Sequence, residues 1–152
     1  MDKIIVTGFL IVAGVVSSMM VFNTMLPAIQ SSSDAMTAME RRVDDRMKTQ
    51  IEIIHAVQSG NTVSLWVKNV GSARVLAPAS ADLFFGLQGN FARIPYAVGS
   101  PSWSFAFEND TEWNPSATLR ITITFSSPPP SGRYVAKIVL SNGISDEYQV
   151  SW

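Results

Sequence analysis

The first part of the chain is dominated by one long apolar segment. From Ile4 to Leu26 there are 23 residues without a charged side chain, and the nearest charges are Lys3 before the segment and Asp34 after it. As an α-helix with a rise of about 1.5 Å per residue, the segment is about 35 Å long, enough to cross a bilayer core of about 30 Å. The pattern therefore predicts a helix that is apolar on every side.

Three kinds of N-terminal segment have this character. A cleaved secretory signal has an apolar region of roughly 7–15 residues and a small-residue cleavage site. This segment is longer, and no A-x-A site follows it. A membrane anchor and a pilin-type helix, which waits in the membrane before it packs into a filament core, both remain open, because lipid and neighbouring helices are equally apolar surroundings. The candidate helix-packing residues are two pairs of small side chains that would let helices approach closely: Ala13 with Ser17, and Gly14 with Ser18.

A proline inside the helical stretch predicts an interruption. Pro27 removes one backbone hydrogen bond and clashes with the preceding turn, so we expect a kink or a melted turn at residues 23–27 and a restarted helix capped by residues 31–34. The continuation, 34–48, is amphipathic, with one apolar stripe at steps of three, four and four residues, formed by Met36, Met39, Val43 and Met47. We interpret this methionine stripe as a packed face, with a groove for a partner as the alternative. Residues 1–48 together are the predicted N-terminal, pilin-like helix.

From Gln50 onward, apolar and polar residues alternate with the period of a half-buried strand. Two such runs, 50–57 and 62–70, are joined by a turn that contains Gly60 and Asn61, which predicts a hairpin. Further strands are predicted at 82–87, 91–96, 103–107, 119–125, 134–140 and 147–152. Short strands separated by Gly, Pro, Asn and Ser turns predict an antiparallel, immunoglobulin-like β-sandwich over residues 49–152, with the four tryptophans supplying its core. The predicted fold class is therefore α+β.

Composition argues against several functions. The chain has 11 Lys and Arg against 12 Asp and Glu, a net charge of −1, so it lacks the excess of basic residues that nucleic-acid binding requires. It has no cysteine and one histidine, His55, which excludes thiolate chemistry and a histidine-pair metal site. We expect His55 to be structural. No nucleophile elbow, phosphate-binding loop or paired-carboxylate setting occurs, so we expect no enzyme, cofactor or metal.

One acidic region needs separate consideration. Glu108, Asp110 and Glu112 lie close to Asn109 and Asn114 and offer oxygen ligands of the kind that calcium prefers. Their spacing is not that of an EF-hand, so we predict a solvated surface loop instead. Asn109-Asp110-Thr111 is also a glycosylation sequon, which makes Asn109 a candidate modification site.

Two parts of the sequence carry a family resemblance. Residues 50–54, QIEII, lead into 63–72, VSLWVKNVGS, whose strand ends in V-x-N-x-G. Residues 130–148, PSGRYVAKIVLSNGISDEY, resemble a closing hairpin. With the apolar helix, these features resemble the archaellin superfamily, which includes the filament subunit of the archaeal swimming motor and its pilin-like accessory proteins FlaF and FlaG. Taken alone, the N-x-G ending is ordinary turn chemistry. No glutamate precedes Glu40, which argues against the bacterial type IV pilin branch.

The resemblance implies a function outside the cell. Our leading interpretation is a structural subunit of an archaellum-type surface filament for motility or adhesion, which polymerises with copies of itself through its helix and is membrane-inserted before assembly. The resemblance also implies contact with the archaellum assembly platform and its ATPase, an N-terminus inside the cell and a β-domain outside. The alternative is a membrane-anchored accessory or stator protein whose β-domain binds an extracellular partner. A solitary anchored binding domain is the third interpretation.

Overall fold

The computed structural model describes residues 2–152, so Met1, the first residue of the predicted helix, lies outside the described residues. One helix, α1, spans Asp2–Lys48, and none of its residues is buried. Contacts divide the chain into two compact units, the first ending at Arg42 and the second comprising Val43–Trp152. The last turn of α1 therefore belongs with the β-strands.

The predicted melted turn at residues 23–27 and the restarted helix after it are wrong, whereas a kink at Pro27 stays a prediction. Pro27 lies inside α1, which continues without a break through residues 31–34. The Ser31 hydroxyl donates to the carbonyl of Ala28 at 3.0 Å, in the preceding turn, instead of capping a new helix. Proline removes only one amide hydrogen, and the helix extends for about six turns on each side, so the remaining hydrogen bonds maintain it.

The eight predicted strands are all present, with ends displaced by at most two residues. They are β1 Ile51–Ser59, β2 Thr62–Asn69, β3 Asp82–Leu87, β4 Asn90–Ile94, β5 Ser102–Phe107, β6 Thr118–Thr124, β7 Arg133–Val139 and β8 Ser145–Ser151. A single 3₁₀ turn, Pro78–Ser80, precedes β3. The predicted hairpin between β1 and β2 is confirmed, because Ser59 pairs with Thr62 across the turn.

The strands form two antiparallel sheets, ordered β1-β2-β6-β5 and β4-β3-β7-β8. With the strands lettered in chain order, this is the ABED sheet and the CFG sheet of an immunoglobulin domain, with β4 as an added C′ strand. A tyrosine corner also occurs near the start of β7, where the Tyr134 hydroxyl donates to the carbonyl of Pro130 at 2.7 Å. The predicted α+β class, a long helix followed by an immunoglobulin-like sandwich, is confirmed.

The core lies between the two sheets. Alternate residues of β2, namely Val63, Leu65 and Val67, are fully buried, and the inward residues of β6, β3 and β7 complete the cluster. The prediction for the tryptophans holds only in part. Trp103 and Trp113 are buried, and Trp152 packs against the core from its edge, but Trp66 lies on the outer face because it has the opposite parity to the buried residues of β2.

Candidate functional site

The most constrained part of the molecule is the segment where α1 ends and the sandwich begins. The carbonyl of Lys48, the last helical residue, accepts the amides of Ser72 and Ala73 at 2.9 and 3.0 Å. The carbonyl of Gln50 accepts the amides of Val70 and Gly71, both at 3.0 Å. The two bonds to Lys48 pair a carbonyl that a helix end normally leaves unsatisfied, and the two bonds to Gln50 continue the contact into the start of the sandwich. We call this the helix–sandwich junction, formed by residues 45–50 and 69–75.

The side chain of Asn69 organises the junction from inside. Asn69 is 0% exposed and ends β2 at an inward position. Its amide nitrogen donates to the carbonyls of Ala73 at 2.9 Å and Trp113 at 3.1 Å, and its oxygen accepts the amide of Gly71 at 3.0 Å. The side-chain nitrogen of Asn69 therefore uses both of its hydrogens and the side-chain oxygen has a donor, as a buried amide requires.

Gly71 is needed for a different reason. A Cβ added at Gly71 would lie closer than 3.0 Å to backbone atoms of Lys48 and Gln50, so the loop can approach the end of the helix only without a side chain there. The V-x-N-x-G ending is therefore more than a turn. The sequence alone marks Asn69 as a buried polar residue that needs hydrogen-bond partners, because it occupies an inward position of a strand whose other inward residues are valine and leucine.

A small cavity of about 180 Å³ adjoins the junction. Its charged lining residues are Asp45 and Arg74, and Arg74 is paired with Glu112 at 2.6 Å. The Thr49 hydroxyl donates to the carbonyl of Asp45 at 2.6 Å, which ties the side chain back to the helix end. The arrangement fixes the last helical turn to the sandwich and offers no reactive group.

The candidate helix-packing residues lie on the surface of α1. Ala13, Gly14, Ser17 and Ser18 are exposed, and nothing lies within 4 Å of a Cβ placed at Gly14. Ser18 donates its hydroxyl to the carbonyl of Gly14 at 2.9 Å, so this polar group is satisfied within the helix. α1 is long and apolar enough to cross a membrane. The role of these four small residues in helix packing stays a prediction.

The acidic region forms an exposed loop between β5 and β6, as predicted, in which each carboxylate has a partner within the protein. Glu108 pairs with Arg120 at 3.1 Å. Asp110 accepts from the Asn114 side chain at 2.9 Å and from the Thr111 amide at 2.7 Å, and these bonds hold the pKa of Asp110 below its ordinary value. Across residues 2–152, no cluster of three or more His, Asp or Glu side chains is placed to hold a metal ion.

The sequon residue Asn109 is exposed in the same loop. Its side-chain oxygen accepts the amide of Thr118 at 2.9 Å. The nitrogen to which a glycan attaches is not used in a hydrogen bond among the described residues, so the geometry is compatible with modification. Glycosylation of Asn109 stays a prediction.

His55 lies on the outer face of β1 and is exposed, so it is not a core histidine. Its ring lies 5.5 Å from the ring of Trp66, and Trp66 donates its indole N–H to Glu108 at 3.2 Å. His55 and Trp66 together cover part of the outer face of the β1-β2-β6-β5 sheet.

The fold and the helix define a class of protein: a pilin-like chain in which an apolar N-terminal helix carries an immunoglobulin-like sandwich. No protein-family profile matches the sequence. The chain is similar to the archaellum periplasmic stator protein FlaG from Sulfolobus acidocaldarius, with 30% identity and a TM-score of 0.61 over 67% of this chain and 99% of that chain. The same identity, with a TM-score of 0.60, relates 67% of this chain to 89% of a chain in the FlaF–FlaG stator complex of that organism.

A full-length relative occurs in Archaeoglobus fulgidus. That protein, which is uncharacterized, is 27% identical over 161 residues, covering 99% of this chain and 98% of its own. From the match to nearly all of FlaG, the chain belongs to the archaellum FlaF/FlaG family of pilin-like accessory proteins.

The comparisons change the leading functional interpretation. They support the archaellum resemblance, but the structural relatives are stator proteins, so a self-polymerising filament subunit in an extracellular filament is not supported. Both kinds of protein need an apolar helix and a β-domain, so the hydrophobic pattern could not separate the two branches.

Proposed function

We propose that this protein is a membrane-anchored accessory protein of the archaellum, of the stator type. The apolar part of α1 spans the membrane with its N-terminus inside the cell, and the sandwich lies outside, in the periplasmic space. The observation that carries this proposal is the 30% identity to FlaG over 99% of the FlaG chain. The relatives are structural components, which agrees with a chain whose junction holds elements together without reactive groups.

The structure supports a mechanical task. A stationary component must hold its position while a neighbouring part moves, so it needs a fixed anchor and a stiff link between anchor and binding domain. Residues 4–26 supply an anchor that is apolar on every side. The hydrogen bonds to the carbonyls of Lys48 and Gln50 fix the last helical turn to the β2–β3 loop within the unit Val43–Trp152.

We also propose a protein partner of the same family for the sandwich. The relatives include a complex of FlaF with FlaG, so a FlaF-type protein is the expected partner class. Charge and composition give no reason to invoke nucleic acid.

Membrane topology tests the anchor directly. Protease added to intact cells should degrade the sandwich while a cytoplasmic control protein survives, and the chain should stay with the membrane after alkaline extraction. Protection of the sandwich until the cells are lysed would contradict the proposed orientation.

Swimming tests the requirement for the anchor. In a deletion strain, the intact chain should restore swimming, and the double variant Val12→Asp with Val16→Asp should not. Each charge at the centre of a membrane helix costs about 2.5–3.5 kcal/mol of insertion free energy. A matched control, Thr37→Asp with Ala38→Asp, adds the same charges beyond the apolar segment and should swim normally. Swimming with an unanchored variant would refute the proposal.

A further inference from the structure

An apolar stripe lies uncovered on α1 beyond the membrane-spanning segment. The methionine stripe consists of Met36, Met39, Val43 and Met47, whose exposed fractions are 68%, 69%, 50% and 81%. Steps of three, four and four residues place all four on one side of the helix. The predicted packed face therefore has no packing partner among the described residues.

Lipid does not account for the stripe. Asp34 precedes it, and charged residues are interleaved with it from residue 40 to residue 48. Charged side chains at this density do not lie in hydrocarbon. The sandwich does not cover Val43 or Met47 either, since both belong to the same compact unit as the sandwich and are still exposed. A protein surface is the remaining cover.

The charges beside the stripe are sorted by sign. At about 100° per residue, Glu40 and Asp44 lie roughly 50–100° to one side of the stripe, the acidic flank, and Arg42 and Arg46 lie at a similar angle on the other side, the basic flank. Asp44 is already bound to Lys48 at 2.7 Å, and the Arg46 guanidinium lies against Gly143 in the β7–β8 turn, so Glu40 and Arg42 are the flank charges left for a partner. Each set is a like-charge pair at i and i+4, which weakens an isolated helix. The Asp44–Lys48 ion pair offsets part of this repulsion within the chain, whereas neither Glu40 nor Arg42 has an ion pair among the described residues.

We propose that a second copy of this chain covers the methionine stripe, with the two α1 helices parallel and in register. In a parallel pair, each flank faces the opposite flank of the other helix, so the acidic flank meets the basic one. In an antiparallel pair, like flanks would face each other and repel. Two copies inserted in one membrane with the same topology are necessarily parallel, so the anchor and the charges select the same arrangement.

Two small residues of the membrane segment lie on the same face of α1 as the methionine stripe. Gly14 and Ser18 lie at the helical angle of the methionine stripe, and nothing lies within 4 Å of a Cβ placed at Gly14. Small residues there allow close approach of two helices. Four apolar side chains are far below the roughly 1,600 Å² of a standard interface, so we expect pairing to need the membrane segment and the high local concentration that a shared membrane provides.

Single cysteines test the pairing, because the chain has none of its own. Met39→Cys and Val43→Cys lie on the stripe, whereas Ala38→Cys and Arg41→Cys lie on the other side of the helix, at exposed positions outside the helix–sandwich junction. Under mild oxidation in native membranes, the stripe variants should form a disulfide-linked species of twice the chain mass, because a disulfide needs Cβ atoms about 3.5–4.5 Å apart. The off-stripe variants should yield several-fold less. Equal yields from both sets, no dimer from the stripe, or a product with a different protein would each overturn the proposal.

Charge reversal tests the orientation. Glu40 has no ion pair among the described residues, whereas Asp44 already binds Lys48 at 2.7 Å, so Glu40 is the better position to change. In the Val43→Cys background, Glu40→Arg should reduce dimer yield several-fold, and Glu40→Arg with Arg42→Glu should restore it. The control Arg41→Glu, on the far side, should leave the yield unchanged. Loss without rescue in the double variant would contradict flank-to-flank pairing.

This inference rests on the proposed membrane insertion, and the two can fail separately. A chain absent from the membrane fraction would refute the proposed function. A chain present in the membrane fraction but not cross-linked through the stripe would refute only the pairing.

Discussion

Asn69→Asp should destabilise the protein severely, although it replaces one oxygen-bearing side chain by another of the same shape. Asn69 is 0% exposed and donates to the carbonyls of Ala73 and Trp113 at 2.9 and 3.1 Å. Aspartate loses both donors and turns a carboxylate toward two carbonyl oxygens. Two lost hydrogen bonds cost about 0.5–1.5 kcal/mol each, and the desolvation of unpaired buried groups adds about 1–3 kcal/mol. We expect a loss of about 3–5 kcal/mol at neutral pH, which is a large part of a typical stability of about 5–15 kcal/mol.

The loss should depend on pH in a defined direction. Burial and two facing carbonyls raise the pKa of a carboxyl at position 69 above its unfolded value of about 3.9. A raised pKa in the folded state means that the folded chain binds the proton more tightly, so the penalty is complete above the folded pKa. It should shrink as the pH falls toward about 4, where the neutral acid has an O–H that can donate to one carbonyl.

Urea unfolding of the full chain in detergent micelles, followed by tryptophan fluorescence, measures this free energy. Asn61→Asp is the matched control, because Asn61 is exposed and makes one long side-chain bond, at 3.4 Å, to the carbonyl of Ser126. The control should stay within about 0.5 kcal/mol of the native chain. If Asn69→Asp were as stable as Asn61→Asp, or if its deficit did not shrink at low pH, Asn69 would not organise the junction as described.

Residues 50–152 should fold without the helix and unfold in one cooperative transition, and a disordered or helical circular-dichroism spectrum would refute this. Tyr134→Phe should lower the free energy of unfolding by about 0.5–1.5 kcal/mol, because it removes the bond from the Tyr134 hydroxyl to Pro130. Tyr148→Phe removes no hydrogen bond among the described residues, so it should lower the free energy of unfolding by less than Tyr134→Phe does. Equal decreases in the two variants would contradict the tyrosine corner. Native protein should carry a glycan at Asn109, seen as a mass increment that Asn109→Gln removes, and an unmodified native mass would reject it.

The sandwich was predictable because strand alternation is a local signal with a fixed period. Val63, Leu65 and Val67 occupy one parity of β2 and are all fully buried, and the same parity places Trp66 outside. The expectation that all four tryptophans supply the core fails at Trp66, which alternates with the buried residues of β2. The turn residues Gly60 and Asn61 likewise defined the first hairpin correctly.

Other features depend on partners that no local pattern contains. The predicted melted turn at Pro27 does not form, because the helical hydrogen bonds on both sides outweigh the single one that proline removes. The inward position of Asn69 marks it as a buried polar residue, but its acceptor on Trp113 lies 44 residues away in the sequence, so its partners could not be predicted. The apolar segment of α1 suits a filament core and a bilayer equally, so the branch of the family could not be read from hydrophobicity.

The central claim is that this chain is a membrane-anchored archaellum accessory protein and not the repeating unit of the filament. Quantitative mass spectrometry of sheared, purified archaella and of the remaining cell envelope measures this directly, with the major filament protein as the internal standard. We predict that the chain is recovered in the envelope and is at most a trace component of the filaments. Recovery in filaments at a copy number comparable to that of the major filament protein would contradict the account.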